Sequence, residues 1–69
     1  MHETVRRLRK ERGLTQQQVA DHLQIDRSTY AYYESGRSRF NIDVLVGLAD
    51  FYEVSLDFLA GRSVPATES

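Results

Sequence analysis

Apolar side chains return along this chain at spacings of three and four, the period of a helix with one buried face, and Ser, Thr, Asp, Asn and Gly punctuate the returns. The pattern predicts five short helices. The first spans His2 to Arg12, with Val5 and Leu8 inward, Arg6, Arg7, Lys10 and Arg12 crowding the remaining surface, and Gly13 as a left-handed C-cap. Thr15 and Gln18 stand three apart, where hydroxyl and amide satisfy each other's free backbone donors in a capping box, so a second helix starts at Gln16. Val19, Ala20 and Leu23 form its inner stripe, and Gln17, Gln18, Asp21 and His22 turn to water. Ile25 anchors the turn. Asp26 is the N-cap expected for a third helix, Arg27 to Ser35, stopped by Gly36. Asn41 caps a fourth, Ile42 to Tyr52, with Ile42, Leu45, Leu48, Ala49 and Tyr52 on the core side, and Ser55 caps a fifth, Leu56 to Ala60, ending at Gly61. Residues 62–69, small and polar with one proline, read as a flexible tail on a single domain of residues 1–61.

The third helix is built differently from the others. At about 100° per residue, Tyr30 and Tyr33 share one side, while Ser28, Ala31, Tyr32 and Ser35 lie nearly opposite and Arg27 flanks that outer face. Small hydrogen-bonding side chains beside an arginine and an aromatic suit a major groove, where base edges present donors, acceptors and thymine methyls. A solvated helix face has the same composition, so the face alone leaves both readings open.

The wider run separates them. Leu14, Thr15, Gln16, Ala20, Leu23, Ile25, Asp26, Tyr30, Tyr33, Glu34 and Gly36 fall in the order and spacing of the helix-turn-helix of phage-repressor and Cro-like (XRE-type) DNA-binding regulators, and the sequence resembles that family from Val5 to Gly61. The resemblance implies an all-α bundle of five helices, of the lambda-repressor-like type, with the helix-turn-helix in helices 2 and 3. It departs from the family pattern at Gln24, where glycine is frequent in the turn and a left-handed backbone costs other residues about 1 kcal/mol, at Glu53, another frequent glycine, and at Phe40, a common proline. It further implies that Arg9 and Glu34 form a structural ion pair. The partner it implies is double-stranded DNA, with Arg27, Ser28 and Tyr32 at base edges and Gln16 on a phosphate. Gln17, Thr29, Ser35, Arg37 and Arg39 are the candidate backbone or edge contacts. Few base contacts per copy point to a homodimer on a palindromic operator, and the function implied is transcriptional regulation, as a repressor.

Net charge first opposes this reading and then supports it. The total is −1, whereas nucleic-acid-binding domains are usually basic. Residues 1–40, however, carry a balance of +3 and residues 41–69 one of −4, so one end of the chain is suited to phosphates. Arg37 and Arg39, just past the third helix, fit backbone contacts that fix register without reading sequence, or a solvated loop. Lys10 and Arg12 also favour the negative end of their own helix.

Absences narrow the classes further. The chain has no cysteine, no HExxH, no glycine-rich phosphate loop and no paired Cys or His spacing, so neither a metal nor a cofactor is expected and an enzyme is not. His2 and His22 read as isolated exposed side chains, and Asp50, Glu53 and Asp57 as surface charge. No apolar run is long enough for a membrane span, and the expected location is the cytoplasm. A second function class stays open. Val44, Val46 and Phe51 make the fourth helix more apolar than one buried face requires, either as packing against the fifth helix or as a surface for self-association or a protein partner. The same kind of domain serves as the antitoxin of toxin–antitoxin pairs.

Overall fold

A computed structural model describes residues 1–60. Five helices follow in order: α1 His2–Glu11, α2 Gln16–Leu23, α3 Arg27–Ser35, α4 Ile42–Tyr52 and α5 Leu56–Leu59. No strand occurs among the described residues. The expected all-α, five-helix order is therefore present, with ends within a residue of those read from the sequence. The tail of residues 62–69 and the stop at Gly61 lie outside the described residues.

Caps explain most of the boundaries. Thr15 Oγ1 accepts from the Gln18 amide at 3.1 Å while the Thr15 amide donates to Gln18 Oε1 at 2.8 Å, closing the expected capping box. Asn41 Oδ1 accepts from the Val44 amide at 2.8 Å, and Ser55 Oγ from the Phe58 amide at 3.0 Å. Asp26 departs from expectation. It occupies the N-cap of α3 in extended geometry but makes no side-chain cap bond, leaving only its charge near the helix start.

At the C-terminal ends one device recurs four times. Gly13, Gln24, Gly36 and Glu53 all have positive φ, between 57° and 85°. The amide after each donates to the carbonyl five residues back: Leu14 to Arg9, Ile25 to Ala20, Arg37 to Tyr32 and Val54 to Ala49, all at 3.0–3.1 Å. This pairing turns the chain sharply and satisfies carbonyls the helix leaves open. α1 thus ends at Glu11, with Arg12 still right-handed and Gly13 the first left-handed residue. Gln24 and Glu53 adopt without glycine the conformation their positions demand, which shows that the turn's hydrogen bonds and packing outweigh the local strain.

Val5, Leu8, Val19, Ala20, Tyr30, Val44, Leu48, Tyr52 and Leu59 form one core, with contributions from every helix. α3 packs on α1 and α2, α4 on α2 and α5, and α5 on α1, so the recognition element is supported from behind by two helices. A Cβ on Gly47 would stand 2.8 Å from Leu23 Cδ2, so α4 approaches α2 more closely there than any side chain allows. The inner face of α4 is rotated from the expected one. Val44 is buried and Ile42 is 63% exposed, the reverse of its assigned core position, because the buried set runs Val44, Leu48, Tyr52 at a spacing of four.

Candidate nucleic-acid interface

The two faces of α3 separate as its periodicity predicts. Tyr30 is fully buried and Glu34 is 3% exposed, while Arg27, Ser28, Thr29 and Ser35 are exposed and Tyr32 is 49% exposed. Tyr33 is only half-buried. Its ring stacks on Phe40 with centroids 5.2 Å apart, and its hydroxyl accepts from Asn41 Nδ2 at 3.3 Å, so it fastens the loop after α3 more than it fills the core. Phe40 thereby supplies an anchor at a position where the resembled family commonly has proline.

Glu34 is the hub that fixes α3 in place. Arg9 Nε donates to Glu34 Oε2 at 2.8 Å and Arg9 Nη2 to Oε1 at 2.9 Å, a two-pronged pair, while Arg9 Nη1 donates to the Leu14 carbonyl at 2.8 Å. The sequence resemblance implied this pair and the geometry contains it. Burial pushes the Glu34 carboxyl up, but hydrogen bonds from Arg9 and Gln16 and the nearby Arg9 charge outweigh it and hold the group below its ordinary value. The same bond raises the Arg9 value, against the opposing effect of burial. Tyr30 lies near enough to feel the Glu34 charge without making a hydrogen bond of its own, and burial pushes its phenol far up. The Tyr52 phenol, also buried and unpartnered, is pushed up by burial to about 12.

Two glutamines at the start of α2 occupy different situations. Gln16 Nε2 donates to Glu34 Oε1 at 3.1 Å, so the residue expected on a phosphate is also tied to the buried pair. Gln17 Nε2 donates to Asp21 Oδ1 at 2.7 Å along its own helix. Beyond α3, the Arg37 guanidinium carbon stands 5.9 Å from the Tyr32 ring centroid, and Ser35 Oγ donates to the Tyr32 carbonyl at 3.1 Å. Arg37 therefore belongs with Tyr32 on the outer face. Arg39 lines a separate surface cavity with His2, Gly36 and Phe40.

Both histidines differ from expectation. His2 is half-buried, its ring so close to Gly36 that a Cβ there would stand 2.9 Å from it, and the start of α1 thereby rests on the end of α3. His22 is exposed, but its ring lies 4.2 Å from that of Phe51, which in turn stands 5.0 Å from Tyr52. No one-dimensional signal marks such contacts, which depend on how whole helices cross. The proposed apolar surface of α4 contracts too. Val44 is in the core and Phe51 is half-buried between His22 and Tyr52, leaving Val46 with Ile42 as its exposed apolar residues.

Among the described residues, no group of three or more His, Cys, Asp or Glu side chains is placed to hold a metal ion, and no helix is long and apolar enough to cross a membrane.

Comparison with known proteins agrees with this geometry. Residues 5–59 match the family model described as Helix-turn-helix, HTH_3. The chain is 46% identical over 55 residues to the HTH-type transcriptional regulator AnsR of Bacillus subtilis, covering 80% of this chain and 47% of that protein. It is 43% identical over 54 residues to the cryptic phage CTXphi transcriptional repressor RstR of Vibrio cholerae, covering 78% of this chain and 48% of that one. A crystal structure of a transcriptional regulator from Listeria innocua superposes with a TM-score of 0.84 at 37% identity, covering 94% of this chain and 61% of that chain. The chain spans about half the length of the curated relatives it matches.

Proposed function

Since the chain belongs to the helix-turn-helix family of transcriptional regulators, which are DNA-binding proteins and not enzymes, we propose that it acts in the cytoplasm as a sequence-specific repressor, with α3 lying in the major groove of its operator. The observation that carries the reading is the division of α3. Its back is immobilised by Tyr30 and the Arg9–Glu34 pair, and its front presents Arg27, Ser28 and Tyr32 free of any structural duty. A rigid helix with an unoccupied polar front loses little freedom on docking, so its side chains meet base edges in a fixed register.

In this reading Arg27, Ser28 and Tyr32 discriminate bases. Gln16, Gln17, Thr29, Ser35, Arg37 and Arg39 hold phosphates or the groove edge and set the register. One copy reads too few base pairs for an operator, so two copies bind a palindrome with half-site centres about 34 Å apart, one helical turn. Repression follows from occupancy that excludes polymerase, and the relative RstR is named a repressor. The test is selection of bound sequences from a random duplex pool, followed by a salt titration on the winner. With about three to five phosphates neutralised per protomer, a dimer gives a log–log slope of about −5 to −9. Failure to enrich any duplex at low salt, or a flat salt response, refutes the reading.

A further inference from the structure

The unexplained cations of the molecule lie on α1. Arg9 is taken up by Glu34, and Arg7 lies 3.9 Å from Glu11 across one exposed turn. Arg6 and Lys10 are exposed and form no ion pair with the described residues. They stand four apart, hence one above the other on the same face of the helix.

That face borders a cavity of about 200 Å³ between α1 and α3. Arg6 and Lys10 form one wall, Ala31 and Ser35 the other, and Gln16 closes one end, with the Arg9–Glu34 pair as the deepest part. Its charged side chains are three cations and one carboxylate, and the carboxylate is already occupied by Arg9 and Gln16. The cavity therefore presents a net positive charge with its acceptor satisfied, the electrostatics of an anion seat. Gln16 reinforces it. One amide hydrogen goes to Glu34, which fixes the plane of the amide, and the second remains to donate elsewhere. Ser35 Oγ spends its proton on the Tyr32 carbonyl, so that wall contributes small size and not a donor. Ala31 and Ser35 also belong to the outer face of α3, so the cavity is continuous with the surface assigned to the major groove.

We propose that Arg6 and Lys10, with the free amide hydrogen of Gln16, seat a backbone phosphate of the DNA strand that flanks α3 on its α1 side. The inference rests on the functional reading above and adds to it a contact surface on α1 that reads no sequence. Two cations one helical turn apart straddle a phosphodiester that carries one charge, and Gln16, anchored to the buried pair, ties the register of that phosphate to the position of α3.

The experiment compares the full chain with Arg6→Ala/Lys10→Ala and with the control Arg7→Ala on the selected duplex. Salt titrations and melting curves are measured for each. A second set of duplexes carries a neutral methylphosphonate at one backbone position at a time. The double substitution is expected to leave melting and base preference unchanged, shallow the slope by about two per protomer, and abolish the sensitivity of one methylphosphonate position that weakens the parent. Arg7→Ala is expected to keep the parent slope. If the parent binds and the double variant retains both its slope and its methylphosphonate sensitivity, the seat is refuted and the major-groove reading stands. An equal loss of slope in Arg7→Ala also refutes it, since bulk charge then accounts for the effect. If the parent selects no duplex, both readings fail together.

Discussion

Glu34→Gln removes one charge and leaves the shape of the side chain, which makes it a direct test of what holds α3. Glu34 is 3% exposed and the Arg9 side chain 12%, and the pair is joined by two bonds of 2.8 and 2.9 Å with Gln16 as a third donor. Replacing the carboxylate with an amide strands a partly buried guanidinium against a group that offers one acceptor and one unwanted donor. Breaking a buried pair in this way costs about 3–5 kcal/mol, of which much is the stranded charge. A domain of this size has roughly 3–9 kcal/mol in total, so the variant is expected to be largely unfolded or to melt at least about 12 °C lower. Melting followed by far-ultraviolet circular dichroism measures this, and DNA binding should fall only in proportion to the unfolded fraction.

The pH dependence has a defined sign. Because the folded Glu34 carboxyl sits below its ordinary value of 4.5, the pair's contribution is fully present above about pH 4.5 and is lost as pH falls below it through the folded value. The parent should therefore lose stability on acidification in a range where Glu34→Gln shows a smaller change. A variant that melts within two or three degrees of the parent, or that binds a different sequence while fully folded, would contradict the structural role of Glu34.

Other substitutions separate the remaining roles. Arg27→Ala and Tyr32→Ala should each keep the parent melting temperature and change the selected bases at particular positions, at about 1–3 kcal/mol on the best site; an unchanged selection for both would remove α3 as the reading element. Arg37→Ala should shallow the salt slope by about one, and because its guanidinium lies over Tyr32, the double variant with Tyr32→Ala should lose less affinity than the two singles added. Tyr30→Ala should cost about 3–5 kcal/mol, while Tyr30→Phe should be nearly neutral in chemical denaturation because its buried hydroxyl has no partner to lose. Gln24→Gly should raise stability by about 0.5–1 kcal/mol, the relief of left-handed strain less the added freedom of the unfolded chain; a fall in the denaturation midpoint would show that the Gln24 side chain contributes packing.

The elements legible in the sequence were those written by local chemistry. Thr15 with Gln18, Asn41 and Ser55 act within one helical turn, so their spacing alone located the helix starts that the structure has. The left-handed backbone at Gln24 followed from the same logic, since the turn geometry demands it whatever residue stands there. Ile42 and Val44 show where that logic stops. Both are apolar and two apart on α4, and which one is buried depends on the rotation of the helix against Leu23 and Gly47, a property of two helices and not of one. His2 against Gly36 and Gln16 on Glu34 belong to the same class, being contacts between residues 34 and 18 apart in sequence.

This asymmetry also bears on how α3 works. Its inward residues answer to packing: Tyr30 must fill a space bounded by α1 and α2, and Glu34 must meet Arg9, so each has a structural consequence that periodicity and geometry both register. Its outward residues answer to nothing inside the protein. Arg27, Ser28 and Thr29 appear in no side-chain hydrogen bond or ion pair among the described residues, and Tyr32 touches only its neighbour Arg37 through its ring. A helix fixed by one set of side chains and free in the other can exchange its front without losing its foundation. Specificity and stability are thereby carried by different residues of the same nine-residue helix, and the Glu34 network is the physical barrier between them.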